Sequence, residues 1–311
     1  MSFARTVKEE LVTIPVDSHE QLAEFSAFLN LSTEFHISER QKMLDFKTNN
    51  PTVAKRFLQL TRSLYQAETS LITQKLNKLN QRQSIIIRIL TKVEDIINEH
   101  GILENPIENQ ELTTETPESK RAYLRAAFLC GGSINHPKTA EYHLEIFARD
   151  ANQIVFMQSL LNTFDLNAKI TNRRNGFIVY LKDAEGVSDC LQIMGAQNAQ
   201  FQFEDIRIKR DFNNSINRVM NCEIANEKKA IVAANQQIKD IELIEQFIPL
   251  NQIDVKIRQV MQLRKNHPDL SLKELIEQYA MIYQDIISKS GMNHRLIKIK
   301  QMASEIREGR S

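Results

Sequence analysis

The sequence predicts an α+β protein in which two copies of one αββαββα unit precede a helical linker and an all-α helix-turn-helix. Three observations support this fold class. A pattern of helices and strands recurs with an offset near one hundred residues, a polar helical stretch follows it, and the segment from Ser271 reads as two short helices around a tight turn. We place the double unit at 1–201, with repeats at about 1–100 and 118–201. The linker is placed at 202–245 and the helix-turn-helix at 246–311.

The first repeat begins with a helical run from Leu22. Two strand-like stretches follow at 35–37 and 43–46, then an amphipathic helix from Pro51, then two more strands at 69–73 and 84–90. Helices and strands interleaved in this order predict an antiparallel sheet covered by helices on one face.

The second repeat has the same order of elements. A helical run from Ala122 precedes strands at Ile134 and at 142–147, and a helix from Ala151 precedes strands at 168–171 and 177–181. The last two strands are joined at Asn175-Gly176, a dipeptide that favours a hairpin turn. Leu44 then corresponds to Leu144, and Phe46 to Ile146. The segment 100–118 has no sustained periodicity and is predicted to be a flexible link.

The helix that enters each repeat resembles the LAGLIDADG helix of homing endonucleases, over residues 25–34 and 124–133. That resemblance implies two halves whose motif helices pack together, each presenting one acid to a divalent metal. Ser32 and Gly131 stand where the acids would be, and neither side chain is an anionic ligand. We therefore expect no catalytic residue, metal or cofactor. Small residues still allow close helix packing: Ala126, Ala127, Gly131 and Gly132.

Two other functions stay open for the repeats. A residual LAGLIDADG-type DNA endonuclease would need displaced acids, with Glu34 or Glu141 as substitutes. Alternatively, the sheet surface would serve as a protein or small-ligand interaction module, which a fold alone cannot assign.

The C-terminal helices carry local signals of their own. Ser271 stands at an N-cap position and Glu274 follows at the capping-box spacing. The next helix begins near Ser290, and its apolar residues recur every three or four positions at Met292, Leu296, Ile299, Ala303 and Ile306.

The other face of this last helix carries Asn293, His294, Arg295, Lys298 and Gln301. A chain of formal net charge +1 concentrates Lys289, Arg295, Lys298, Lys300, Arg307 and Arg310 here against Glu305 and Glu308. We expect Lys289 and Lys298 to hold phosphates and Asn293, His294 and Arg295 to reach base edges. The full candidate set is Ser288, Lys289, Ser290, Asn293, His294, Arg295 and Lys298. A solvated amphipathic helix is the alternative.

The predicted linker has an amide-rich face. Asn213, Asn214, Asn217 and Asn221 lie three or four residues apart around Arg210 and Arg218, in a helix expected to reach about Ile244. We interpret this face as secondary DNA contacts through Arg210, Asn214, Asn217 and Arg218, or as a surface that packs on the repeats.

Across essentially the whole chain the sequence resembles the WhiA family. The resemblance is carried by the motifs at 125–133, 142–146, 210–226, 267–275 and 288–296. It implies a degenerate homing-endonuclease domain, a linker and a helix-turn-helix, in a DNA-binding regulator of sporulation in actinobacteria and of cell division and chromosome segregation in low-GC Gram-positive bacteria.

The chain departs from the family pattern at two places. It lacks a Pro-Pro pair before the SKSG motif, and it has Ile297 where a basic residue is common. A more helical turn and one missing phosphate contact are therefore expected. The Lys-rich and Asn-rich composition suggests an AT-rich Firmicute and favours the cell-division role.

Composition is that of an ordinary globular protein, with 42% hydrophobic and 25% charged residues among 311. No apolar run approaches the length of a membrane span, so we expect a cytoplasmic, nucleoid-associated protein without membrane insertion. Its expected partners are double-stranded DNA and proteins of the division or transcription machinery.

Cys130, Cys190 and Cys222 lie far apart and are predicted to be buried small hydrophobes. His136 and His143 lack the neighbours that a metal site needs.

Overall fold

A computed structural model describes residues 2–38, 41–75, 83–103 and 106–309. Arg310, which contributes to the predicted basic segment, lies outside them. The chain forms two compact units, Met1–Asp211 and Phe212–Ser311.

The first repeat follows the predicted order of elements. Its bounds are α2 (Ser18–Ser32), β1 (Thr33–Ser38), β2 (Gln41–Thr48), α3 (Pro51–Tyr65), β3 (Thr69–Lys75), β4 (Gln83–Ile89) and α4 (Val93–Glu99), after α1 (Phe3–Leu11), which we did not predict. Asp17 caps α2 through a full capping box with Glu20. Asn50 caps α3, where proline occupies the first turn.

The second repeat copies that order. Its elements are α6 (Pro117–Gly131), β5 (Gly132–Ile134), β6 (Leu144–Ala148), α7 (Ala151–Asn162), β7 (Lys169–Arg173), β8 (Gly176–Leu181) and α8 (Ala184–Met194). The predicted hairpin is present. It turns at Arg174-Asn175, one residue earlier than expected, because Gly176 already pairs with Arg173 in the ladder.

Sheet register establishes which residues of the two copies are equivalent. The strand orders are β1-β2-β4-β3 and β5-β6-β8-β7, all antiparallel. Leu44 pairs with Ile89, and Leu144 pairs with Leu181. Thr33 pairs with Phe46, and Gly132 pairs with Ile146. The predicted alignment of Leu44 with Leu144 and Phe46 with Ile146 is confirmed.

One continuous core holds the double unit together. In the first repeat the rings of Phe46 and Phe57 stack with centroids 4.1 Å apart, and Phe25 stacks on Phe57 at 5.3 Å. In the second repeat Tyr123 meets Phe156 edge to face at 5.3 Å and donates a hydrogen bond to Gln153. These large side chains are almost fully buried and account for much of the hydrophobic stabilisation.

Two sequence-based expectations are wrong. The segment 100–118, which we predicted to be flexible, contains the helix α5 (Pro106–Thr113). Gln110 of this helix is buried, so burial orders a stretch that shows no periodicity. Glu104 and Asn105 lie outside the described residues. Cys190 is buried as predicted, but Cys130 is half-buried and Cys222 is exposed. Cys222 lies in a stretch of a long helix in which every residue is exposed.

That helix, α9 (Gln197–Phe247), is continuous and contains the boundary between the compact units. Every residue from 211 to 233 is exposed. The predicted domain boundaries at 201 and 245 both lie inside this continuous helix. The domain limits stay a prediction.

In the C-terminal unit, α10 (Val255–Asn266), α11 (Leu272–Tyr283) and α12 (Lys289–Glu308) pack together with the end of α9. The core includes Ile241 and Ile244 of α9 and the predicted apolar residues of α12, Met292, Leu296, Ile299 and Ala303. Ile306 packs on it from a half-buried position. Within the described ranges no helix combines the length and the apolarity that crossing a membrane requires.

Candidate nucleic-acid interface

The motif helices of the repeats, α2 and α6, pack against each other around a buried carboxylate. Glu24 is fully buried and accepts hydrogen bonds from Arg125 of α6 at 2.8 Å and from Arg56 of α3 at 2.9 Å. Arg125 also donates to the backbone oxygen of Met194 at 2.9 Å. Glu24 therefore pairs with two buried guanidinium groups and ties the first repeat to the second, and Glu20 lies 3.8 Å from Arg125 as a more distant acid partner.

At the other end of the pair, Ser32 and Gly131 are the last residues of α2 and α6. They are equivalent, because each directly precedes the first residue of a matching strand. A Cβ on Gly131 would lie 2.4 Å from the backbone oxygen of Phe147, so no longer side chain fits that backbone. The Ser32 hydroxyl is hydrogen-bonded to Cys130, a thiol whose pKa burial raises to about 12. Both positions of the metal-binding acids are thus occupied by groups unsuited to metal.

Beside these helix ends lies a cleft of about 480 Å³ that contains one of the proposed substitute acids. Glu34 of β1 is paired with Lys47 and lies 3.5 Å from Arg149 and 3.6 Å from His36. Its hydrogen bond with Lys47 lowers its pKa. Glu141 lies in the β5–β6 loop, not on a helix end. In the described part of the chain no three His, Cys, Asp or Glu side chains converge as a metal site would require.

The sheet faces turned away from the core carry paired charges. Asp45 alternates with the core residues of β2 and accepts two hydrogen bonds of 2.8 Å from Arg88. Hydrogen bonding to Arg88 is the main cause of its lowered pKa. Glu145 is the corresponding acid on β6, and it binds His143 and Arg173 at 2.8 Å each. Burial alone would raise the pKa of Glu145, but these two hydrogen bonds lower it overall. Arg88 and Arg173 on this surface are therefore already paired with acids.

The C-terminal unit is assembled as the local signals predict. Ser271 and Glu274 form both bonds of the capping box at the start of α11. α11 ends at Tyr283, so the first part of the segment predicted as a connection is helical, as expected from the missing Pro-Pro pair. Gln284 then takes a left-handed conformation with φ of 50° and reverses the chain. Ser288 caps α12 by accepting from the Gly291 N–H at 3.1 Å.

The outer face of α12 presents most of the predicted contact residues. Lys289, Ser290, Asn293, His294 and Lys298 are all exposed and lie outside the buried stripe. Among the described residues, no carboxylate lies within ion-pairing distance of Lys289, Lys298 or Lys300, which are absent from every such pair. This surface therefore has lysines without an acid partner beside exposed hydrogen-bonding side chains.

Two predicted cations have partners inside the unit. Arg295 is half-buried, with its guanidinium 5.2 Å from the Tyr279 ring centroid and bonded to the Tyr279 hydroxyl at 2.8 Å. Tyr279 in turn donates to Gln259 of α10 at 2.7 Å. Arg307 pairs with the buried Asp240 of α9. These long-range pairs have no signature in the sequence, and they make Arg295 a link between α11 and α12.

Of the residues predicted as secondary DNA contacts, one has partners inside the protein and the other three are exposed. Arg210 stacks on Tyr142 at 4.3 Å and donates to the Tyr142 hydroxyl and to backbone oxygens of Pro137 and Thr139, so it fixes the β5–β6 loop. Asn214, Asn217 and Arg218 lie in the uniformly exposed part of α9. Their role in DNA binding stays a prediction.

Three family models match successive parts of the chain, and all three describe WhiA proteins. Family models match the WhiA N-terminal LAGLIDADG-like domain at residues 18–103, the WhiA LAGLIDADG-like domain at 120–213 and the WhiA C-terminal HTH domain at 216–303.

Relatives named "Probable cell division protein WhiA" include one from Staphylococcus haemolyticus, 41% identical over 312 residues, and one from Staphylococcus aureus, 39% identical over 312 residues. Each alignment covers 99% of this chain and 98% of the relative. The crystal structure of full-length DUF199/WhiA from Thermatoga maritima shares the fold, with a TM-score of 0.60 and 24% identity over 98% of this chain and 99% of that chain. The N-terminal LAGLIDADG domain of DUF199/WhiA aligns with a TM-score of 0.51 and 25% identity over 62% of this chain and 90% of that chain. The chain belongs to the WhiA family.

Proposed function

We propose that this protein is a non-enzymatic regulator that binds double-stranded DNA through α12 and acts in cell division. The observation that carries the proposal is the outer face of α12, where unpaired lysines flank exposed amide and imidazole groups on the second helix of a helix-turn-helix. Such a helix enters the major groove with its N-terminal half. The cell-division role rests on the names of the staphylococcal relatives.

Within this proposal the contacts have different tasks. Lys289 and Lys298 bind phosphates, while Asn293 and His294 reach base edges. Arg295 positions α12 through Tyr279, and a direct base contact by its guanidinium would require it to leave that ring. Through this contact with DNA the protein associates with the nucleoid, and we extend the cell-division role to chromosome segregation.

DNA-binding variants test the assignment. Lys289→Ala and Lys298→Ala should each weaken binding to selected and random-sequence duplexes alike and lower the slope of log K against log[salt] by about one. Asn293→Ala and His294→Ala should cost about 1 to 3 kcal/mol on the selected duplex and much less on random sequence. Fluorescence anisotropy of the full chain across NaCl concentrations measures both quantities.

Lys239→Ala is the matched control, because Lys239 is an exposed lysine of the same unit on α9. The groove assignment fails if all four α12 variants bind both duplexes like the wild type at every salt concentration. It also fails if Lys239→Ala lowers the salt slope as much as Lys298→Ala does.

The nuclease alternative has its own test at the helix ends. Gly131→Asp should destabilise the repeat unit by about 1 to 3 kcal/mol, since the new Cβ would overlap the Phe147 carbonyl. Incubation of supercoiled plasmid with Mg²⁺ or Mn²⁺ should show no cleavage by the wild type or by Ser32→Asp. Wild-type cleavage that Glu34→Ala abolishes would establish an endonuclease instead.

A further inference from the structure

The outer face of α12 contains one apolar side chain where hydrogen-bonding groups prevail. Ser290, His294, Ile297 and Gln301 follow one another at spacings of four, three and four residues, which places them in one stripe. This stripe is opposite the buried one. Ile297 is 54% exposed and is not one of the buried residues of the core. An isoleucine therefore lies at the centre of the surface that we assign to DNA.

Ile297 contributes little to folding at this position. The residue before it, Leu296, is buried in the core, and the residue after it, Lys298, is exposed. Ile297 lies with Lys298 on the exposed part of the helix. β-branched residues are also poorer helix formers than the Lys or Arg that would suit an exposed site. Neither packing nor helix propensity accounts for an isoleucine here.

The major groove offers one apolar group to a protein, the 5-methyl group of thymine. Asn293, His294 and Lys298 surround Ile297 with groups that suit base acceptors, donors and phosphates. A side chain without polar atoms gains nothing from those partners, but it gains from the burial of a methyl group. A basic side chain at the same position would instead seek a phosphate or guanine.

We propose that Ile297 is a specificity-determining residue that contacts a thymine methyl group, so that the preferred site of this protein contains a thymine opposite the middle of α12. This inference rests on the proposed function. A second exposed isoleucine supports an apolar component of the surface: Ile286, 93% exposed, lies in the turn that leads into α12, next to the buried Ile287.

Replacement of thymine by deoxyuridine isolates this contact, since it removes the methyl group and leaves every base-pairing and groove hydrogen-bonding group in place. A duplex is first selected from a random pool with the wild-type full chain. Its thymines are then replaced one at a time. We expect about a three- to fivefold loss of wild-type affinity at one thymine of the selected duplex, the factor for burial of one methyl group.

Ile297→Ala should bind the thymine and deoxyuridine duplexes equally, and its own selection should lose the thymine preference. Val255→Ala is the matched control, because Val255 is 55% exposed on α10, and it should keep the wild-type ratio. The inference is overturned if the wild type is indifferent to every replacement, or if Ile297→Ala keeps the wild-type ratio. If neither the wild type nor any variant binds a duplex, the proposed function is refuted, and this inference with it.

Discussion

Glu24→Gln should destabilise the repeat unit by about 3 to 5 kcal/mol, because it removes the central anion from a buried group of charges. The two guanidinium groups would then have only Glu20, 3.8 Å from Arg125, as an acid partner. Glu24 is fully buried and accepts bonds from Arg125 at 2.8 Å and Arg56 at 2.9 Å. Both arginines are themselves buried. Glutamine keeps the shape of the side chain, so the loss reports charge and not volume.

Urea denaturation with pulsed hydrogen exchange measures this effect where it occurs. Peptides from α2, α3 and α6 should become exchangeable at lower urea in the variant, while peptides from α10 to α12 should be unchanged. Glu9→Gln supplies a matched control, since Glu9 forms an exposed ion pair with Arg5 at 2.8 Å and should cost well under 1 kcal/mol.

Replacement of both arginines by methionine in the Glu24→Gln background should recover much of the lost stability, because a well-packed apolar group avoids the desolvation of charge. A Glu24→Gln chain as stable as the wild type would show that the two guanidinium groups find other partners. The carboxylate would then not be what joins the repeats.

Local signals in the sequence predicted much of this fold. The capping box at Ser271 and Glu274 involves groups three residues apart, and it determines where α11 begins whatever else packs around it. The pairs Leu44 with Leu144 and Phe46 with Ile146 could be aligned because strand periodicity forces equivalent residues to the same face. Such features depend on spacing, which a single sequence displays directly.

Features that depend on distant partners could not be predicted. Glu24 and Arg125 are 101 residues apart, and Arg307 and Asp240 are 67 apart. Nothing near either carboxylate in sequence identifies its partner. The same limit applies to α5, whose apolar content is too low for a periodic signal and whose buried Gln110 shows that tertiary packing orders it.

The candidate site shows both cases on a single helix. Spacing correctly separated the buried residues of α12 from its polar face, and it placed Asn293, His294 and Lys298 at the surface. It could not tell that Arg295 lies against Tyr279, because Tyr279 belongs to α11 and the turn between them determines the approach. Which exposed residues contact DNA depends on a partner that is not encoded in the chain.

A second large effect is expected from pH. His100 is buried, and burial lowers its pKa from 6.5 to about 4. Its Nε2 lies 2.9 Å from the Tyr65 hydroxyl, which donates to Glu99 at 2.7 Å, and its Nδ1 has no hydrogen-bond partner. Since the Tyr65 proton is directed to Glu99, the neutral imidazole carries its proton on Nε2. Protonation would place a second N–H on the buried Nδ1, where nothing accepts it.

The sign of the effect follows from the two pKa values. Above about pH 6.5 the imidazole is neutral in both folded and unfolded chains, and the native state keeps its full stability. Between pH 6.5 and 4 only the unfolded chain takes up the proton. The free energy of unfolding therefore decreases as the pH is lowered through this range, by roughly 3 kcal/mol in total. Below pH 4 both states are protonated and this contribution no longer changes.

His100→Gln should remove that dependence, because glutamine stays neutral throughout the range. The free energy of unfolding of the repeat unit, from urea titrations read on α2 and α3 peptides, should fall by about 2 to 3 kcal/mol between pH 7 and 4.5 in the wild type. In the variant the fall should be much smaller. His19→Gln, at an exposed position on α2, should retain the wild-type dependence. Equal slopes in the wild type and His100→Gln would mean that other groups, such as the carboxylates paired on the sheets, cause the acid sensitivity.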